Sequence, residues 1–215
     1  MKKSFLTIVI AFSFSSSIFA QEWHDSLNTA TNAKYLSAAE KAVIFEINKV
    51  RTNPQKYAKL IKKEGKNYQG IYLKREGRDP FATIDGVAGL NECISYLKKI
   101  KPMGVLRPDE NLFKAAEVHA KDLSNTGQTG HKGSDGSNTI DRIKQFSSEE
   151  YHSYNESISF RENDAFYIVL QLLIDDGVPS RIHRENMTKN TYTKCGVSNK
   201  SHPEYKNTCV IIYTQ

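Results

Sequence analysis

Two of the six histidines in the 215-residue chain stand in settings suited to chemistry. His131 lies in Gly130-His131-Lys132-Gly133-Ser134-Asp135-Gly136-Ser137, a run too rich in glycine for a helix or strand interior. It is therefore a shaped loop, and loops held by a rigid scaffold are where binding and catalytic groups concentrate. His183 follows the turn-forming Gly177-Val178-Pro179-Ser180 and leads into Arg184-Glu185-Asn186. Three acids accompany them. Glu156, in Asn155-Glu156-Ser157, enters a β-type run, and Asp175-Asp176 closes the helical pattern before His183. Acids at a helix C-terminus oppose its dipole, so this pair calls for a nearby metal, a histidinium or plain exposure to solvent. His119 falls on the apolar stripe of a helix and reads first as a core histidine. His24 and His152 lie in polar stretches, and His202 lies in a hairpin loop.

The elements that must position these residues follow from spacing. Ser37 and Glu40 form a capping box ahead of Val43, Ile44, Ile47 and Val50 at helical intervals. Asn53-Pro54 restarts the pattern as N-cap and first helical residue, leading to Tyr57, Leu60 and Ile61. Residues 64–86 hold scattered glycines and charges and read as a long loop with room for short strands. Further helices are expected from Val87 to Leu97, from about Asp109 to Ser124, over Thr139–Gln145, and from Asn163-Asp164 through Leu173. Near the C-terminus the period changes to two. Lys194–Ser198 and Thr208–Tyr213 read as a hairpin with a long loop, and Glu156–Phe160 as a third strand. Helices around a small antiparallel sheet make an α+β layered sandwich.

The N-terminus has the three parts of an export signal: Lys2 and Lys3, an apolar run from Phe5 to Phe14, and a serine-rich stretch ending at Ala20. That run is shorter than the roughly 20 residues a spanning helix needs, so the expectation is a signal over 1–20 and a secreted or periplasmic product with no transmembrane segment. Residues 21–36 lack a period and read as a flexible lead-in to one domain over 37–215. Cutting after Ala20 removes two lysines from a formal charge of +6. The remaining basic clusters, Lys59–Lys63 and Lys98–Lys101, lack interleaved aromatics and argue against nucleic acid as a partner.

Taken in order, His119-Ala-Lys-Asp-Leu, Gly130-His131-x-Gly-Ser-Asp-Gly-Ser, Asp141-Arg142-Ile143, Asn155-Glu156-Ser, and Leu172-Leu-Ile-Asp-Asp-Gly-Val-Pro-Ser-Arg-x-His183-Arg-x-Asn186 resemble the CAP superfamily. This is the group of cysteine-rich secretory proteins, antigen 5 and pathogenesis-related proteins, and the likeness is to its bacterial exported branch. Asn48-x-x-Arg51-x-Asn53-Pro54 belongs to the same resemblance. The resemblance implies a three-layer α-β-α sandwich, the CAP (SCP) fold, with two histidines and two acids facing each other in a central cleft. By motif these are His131, His183, Glu156, and one of Asp175 and Asp176. Two positions depart from the family pattern: Asn155 and Ile182 stand where glycines precede the site residues. Loss of a permissive φ at each implies an altered backbone path, and Ile182 adds bulk at the mouth.

Two imidazoles converging from different loops suit Zn2+ or another divalent cation, with the carboxylates as ligands or as partners that orient the rings. The expected set is His131, His183, Glu156, Asp175 and Asp176. The same quartet fits three functions: binding of a metal or small ligand (lipid, peptide or envelope component), hydrolysis with Glu156 as base and His131 and His183 beside it, or a structural network within an interaction scaffold. Three cysteines, Cys93, Cys195 and Cys209, enter an oxidising compartment. If the hairpin folds about His202, Cys195 and Cys209 face each other, and a bridge closing about 15 residues would stabilise by roughly 3 kcal/mol. Cys93 is then a buried thiol.

Overall fold

A computed structural model describes residues 23–215. The expected export signal, 1–20, lies outside the described residues. Helix α1, Ala38–Thr52, starts at the capping box: Glu40 takes the Ser37 N–H at 2.8 Å, and the Ser37 hydroxyl takes the Glu40 N–H at 3.3 Å. Asn53 caps α2, Pro54–Ile61, by accepting the Lys56 N–H. A small antiparallel sheet follows: β1, Tyr68–Gln69; β2, Tyr72–Leu73; β3, Phe81–Ala82. Next come α3, Gly86–Lys99, the short β4, Arg107–Pro108, and α4, Glu110–Thr126, which Asp109 caps and Gly127 ends at φ 71°. The remainder is α5, Thr139–Lys144; β5, Tyr154–Phe160; α6, Ala165–Ile174; α7, Ile182–Met187; β6, Lys194–His202; and β7, Lys206–Thr214.

The main sheet runs β4-β6-β7-β5, with β4 parallel to β6 and the other pairs antiparallel. Strand β7 shows how it is sandwiched. Cys209, Ile211 and Tyr213 enter one core with α1, α3 and α6, while Val210 and Ile212 enter a second with α4 and α5. Both faces are covered, so the strand is apolar throughout and still keeps a period of two. The layers approach closely at Gly196, where an added Cβ would stand 2.1 Å from the Leu112 carbonyl carbon. The chain therefore folds as an α-β-α sandwich.

Three expectations need correction. The hairpin is tighter than its polar stretch suggests: His202 pairs with Lys206, so it pivots at residue 204, two residues beyond the expected centre. Cys195 then faces Tyr213 and Cys209 faces Asn199. All three cysteines are free and buried, and no 195–209 disulfide forms. Residues 23–36, expected to be flexible, are packed on the domain: Ala30 and Leu36 are buried, Trp23 lies 6.3 Å from the Tyr57 ring, and Thr29 donates to the Leu106 carbonyl at 2.7 Å. Those contacts come from single residues, which leave no periodic signal. The stretch carrying His183, lastly, is a short helix, α7, rather than open loop.

Candidate functional site

Strand β5 is one of the two outer strands of the main sheet, and the site gathers beside it. His131 comes from the loop joining α4 to α5, on one helical layer. Its Nδ1 lies 2.8 Å from Glu156 Oε1. His183 comes from α7, on the other layer, with Nδ1 2.7 Å from Asp175 Oδ1 and its backbone N–H on Asp175 Oδ2 at 2.9 Å. The two imidazole rings are 6.4 Å apart between centroids and inclined by 21°. The structure thus brings His131, His183, Glu156 and Asp175 together.

Asp176 turns elsewhere. Its carboxylate accepts the backbone N–H groups of Ile84 and Asp85, at 2.8 and 2.7 Å, at the start of α3. There it meets a helix dipole of the right sign. Asp85 returns the contact, accepting the Gly177 N–H and Arg181 Nη1. The electrostatic cost expected of an acid pair after α6 is met separately: Asp175 by His183, Asp176 by α3.

Glu156 is nearly encased. Arg142 Nη2 donates to Oε2 at 2.7 Å, and His119 Nε2 stands 3.9 Å from Oε1. Burial works against its charge, but the His131 hydrogen bond and the positive charge of Arg142 prevail and hold its carboxyl below the usual carboxylate range. His119 is the core histidine its helix position suggested. Burial holds it below the ordinary histidine range against the pull of Glu156, so it is neutral, donates from Nε2 to the Gly130 carbonyl at 2.9 Å, and steadies the loop of His131. Its buried Nδ1 has no partner among the described residues.

The backbone does not bend where the replaced glycines suggested. Asn155 sits within regular β5, and Ile182 is the first residue of α7. Positive φ falls instead on Asp175, at 54°, and Arg181, at 52°, which bracket the turn carrying Asp176 and Gly177. Such conformations are costly for residues with a Cβ and cluster at functional sites. Sequence reasoning assigned no role to Arg142 or Arg51, both buried. Arg51 donates to the carbonyls of Gly104, Met187, Lys189 and Tyr192, at 2.8 to 3.0 Å, and so fixes the end of α7. Both arginines lie inside the family-like motifs, but only the folded chain shows that Arg142 meets Glu156 and that Arg51 reaches carbonyls of Met187, Lys189 and Tyr192 far along the sequence.

The donors fit a divalent cation in a limited way. With Nδ1 of each ring donating to a carboxylate, each Nε2 keeps its lone pair, the arrangement in which an outer carboxylate orients a histidine ligand. Two imidazoles sharing one zinc through bonds of about 2.0–2.1 Å place their centroids roughly 5–6 Å apart, somewhat less than the 6.4 Å between these two rings. The five-residue ligand set does not assemble: no group of three or more His, Cys, Asp or Glu at metal-binding spacing exists among the described residues. Glu156 and Asp175 orient the rings, and Asp176 faces away.

The α-β-α sandwich, with a carboxylate-held imidazole from each helical layer beside the outer strand β5, is matched by a family model. The chain belongs to the cysteine-rich secretory protein family, CAP, whose family model matches residues 45–214. No curated protein matches it in sequence. Solved structures with likeness include an outer surface protein of Borrelia burgdorferi, at 18% identity and TM-score 0.45, covering 53% of this chain and 79% of that one. An extracellular SCP-domain protein of Bacillus anthracis is 18% identical at TM-score 0.44, covering 53% of this chain and 34% of the other. A cysteine-rich secretory protein of Staphylococcus aureus is 14% identical at TM-score 0.39, covering 60% and 37%. The match thus spans little more than a third of the latter two. No helix among the described residues is long and apolar enough to cross a membrane.

Proposed function

We propose that this CAP domain works outside the cytoplasm and binds a divalent cation or small ligand through the Nε2 atoms of His131 and His183. The observation that carries the reading is the Nδ1 contact of each imidazole with a carboxylate that is itself buried. Such contacts fix the tautomer and leave the Nε2 lone pair of each ring clear of the carboxylate. The binding is weak and open, because only two protein ligands take part and water or the bound molecule completes the shell. Hydrolysis with Glu156 as base finds no support in this arrangement: both of its oxygens are already engaged, by His131 and by Arg142. Export is supported by the tripartite pattern of residues 1–20 and by membership of a family described as secretory.

Zinc titration by calorimetry near neutral pH tests this. The expected result is one site in the unmodified protein and none in His131→Ala or His183→Ala. A flat titration of the unmodified protein removes the metal reading.

A further inference from the structure

Apolar side chains held together in solvent mark surfaces that meet something. Five large apolar residues are exposed among the described residues: Ile71, Tyr72, Ile84, Val87 and Ile182. The first four come from two short segments that lie against each other. Gly70 and Ile71 form the two-residue turn between β1 and β2, with Gln69 paired to Tyr72. Gly70 supplies the positive φ, 62°. The position after such a glycine is commonly Asn, Asp or Ser, and here it holds isoleucine at the hairpin tip. Ile84 and Val87 flank Asp85-Gly86, where α3 begins.

The two segments touch through backbone. A Cβ on Gly86 would stand 2.8 Å from the Gly70 carbonyl oxygen and 3.3 Å from Ile71 Cα. Thr83 donates its N–H and its hydroxyl to the Ile71 carbonyl, at 2.8 and 2.5 Å. Ile84 lies over Gly177, and its N–H is accepted by Asp176. The tip is therefore fixed, with its apolar groups held away from the core: Ile84 keeps 74% of its surface in solvent and Tyr72 55%.

Charge stands behind this tip. Residues 59–78 carry seven Lys or Arg and two Asp or Glu. Glu162 holds Arg75 and Arg78. Lys59, Lys62, Lys63, Lys66 and Lys74 are exposed and form no ion pair among the described residues. Lys74 donates its N–H to the Asn67 carbonyl at 2.8 Å, which closes the base of the hairpin and sets Lys66 beside it. At about 3.4 Å per residue, that base is roughly 10 Å behind Ile71. The acids nearest the tip are already engaged, Asp176 by the start of α3 and Asp85 by Gly177 and Arg181.

We propose that this face docks on an anionic lipid surface, with Ile71, Tyr72, Ile84 and Val87 entering the interface and the lysines resting on the headgroups. Interfacial elements sink their apolar groups about 5–10 Å into the headgroup and acyl boundary, which is the spacing between the tip and its lysine base. Anionic lipid attracts each lysine near its surface, and tyrosine suits the boundary with an apolar ring and a polar end. A second copy of this chain fits poorly, because it would bring the same lysines against these. Docking uses neither imidazole of the zinc reading, so the two stand or fall apart.

The chain from Gln21, the form expected after export, is sedimented with vesicles of phosphatidylcholine mixed with phosphatidylglycerol, and with vesicles of phosphatidylcholine alone. The mixed vesicles are expected to bind at least about tenfold more strongly, and less so as salt rises. Ile71→Ser with Ile84→Ser, and separately Lys66→Glu with Lys74→Glu, should each weaken binding at least about tenfold. Neither pair should alter the zinc titration, whatever that titration shows. Tyr72→Trp reads insertion without these variants: its fluorescence should be quenched by lipid brominated in the acyl chains, beyond any quenching of the unmodified chain, whose one tryptophan is Trp23. Equal binding to both vesicles, undiminished binding by either double variant, or no added quenching overturns the proposal. So does self-association without vesicles that Ile71→Ser with Ile84→Ser abolishes, if vesicles are not bound.

Discussion

Glu156 has two duties that pull in the same direction: it orients His131 and neutralises the buried Arg142. Removing it strands a cation whose remaining acceptors are the carbonyls of His131 and Ser137 and the Thr139 hydroxyl. Glu156→Ala should therefore cost about 3–5 kcal/mol, measured by urea unfolding at neutral pH. The same neighbourhood sets an acid sensitivity. Glu156 has a carboxyl depressed below its ordinary 4.5, so its contribution is present above that pH and is lost as pH falls through its lower folded value. His119 is depressed below 6.5, so the unfolded chain takes a proton that the fold resists, and stability already declines on acidification below about 6.5. Urea midpoints measured from pH 7 down to about 2 should show both declines, and His119→Gln should remove the first. Zinc calorimetry distinguishes the two adjacent aspartates. Asp175→Ala should lower affinity about 10–100-fold. Asp176→Ala should leave it unchanged and cost about 1 kcal/mol of stability at the start of α3. Sequence could not choose between them, because both stand at one helix end and only the αL turn at Asp175 sends their side chains opposite ways.

At the scale of elements, the legible parts were those that signal themselves locally. Capping residues Ser37, Asn53, Asp109 and Asp164 mark helix starts where the structure has them, and the apolar repeats behind them supply the rest. Strand β4, of two residues, is too short to build a period, and α7 opens on Arg181 with no side-chain cap to mark its start, unlike the equally short α5 with its Asn138–Asp141 capping box. Hairpin register was missed for a different reason. It depends on where the turn closes, and Pro203-Glu204-Tyr205 offers no Asn-Gly or Gly-Gly signal to locate it. The close seam between α4 and β6 gives a sharp test. Gly196→Ala drives a Cβ into the backbone of Leu112 and Phe113, at 2.1 to 2.3 Å, and backbone cannot rotate aside as a side chain does. Its cost should exceed the ~1–3 kcal/mol usual for overpacking, read as a fall in the unfolding midpoint.

For the molecule as a whole, one layered architecture carries the site at its rim, and no disulfide among the described residues ties it together. Burial pushes the Cys93 and Cys195 thiols up to about 12 and raises Cys209 as well, so they are inert where a free thiol would otherwise be a liability. The folded protein should show no reaction with a thiol-specific colorimetric reagent and three thiols once unfolded, and its melting temperature should not change with reductant. The sandwich itself was legible because ordered motifs span most of the chain. The pairing of distant residues was not, since the contacts of Arg51 with Met187, Lys189 and Tyr192 leave no local trace. The order of the main sheet has a temporal consequence. Its two inner strands, β6 and β7, lie last in the sequence, while the outer strands β4 and β5 pair only with them. A chain emerging N-terminus first holds two strands with nothing between them until residues 194–214 arrive. Sheet formation is then a single late event dominated by distant pairings, which are slow to form. Until that moment neither outer strand has a partner in the main sheet.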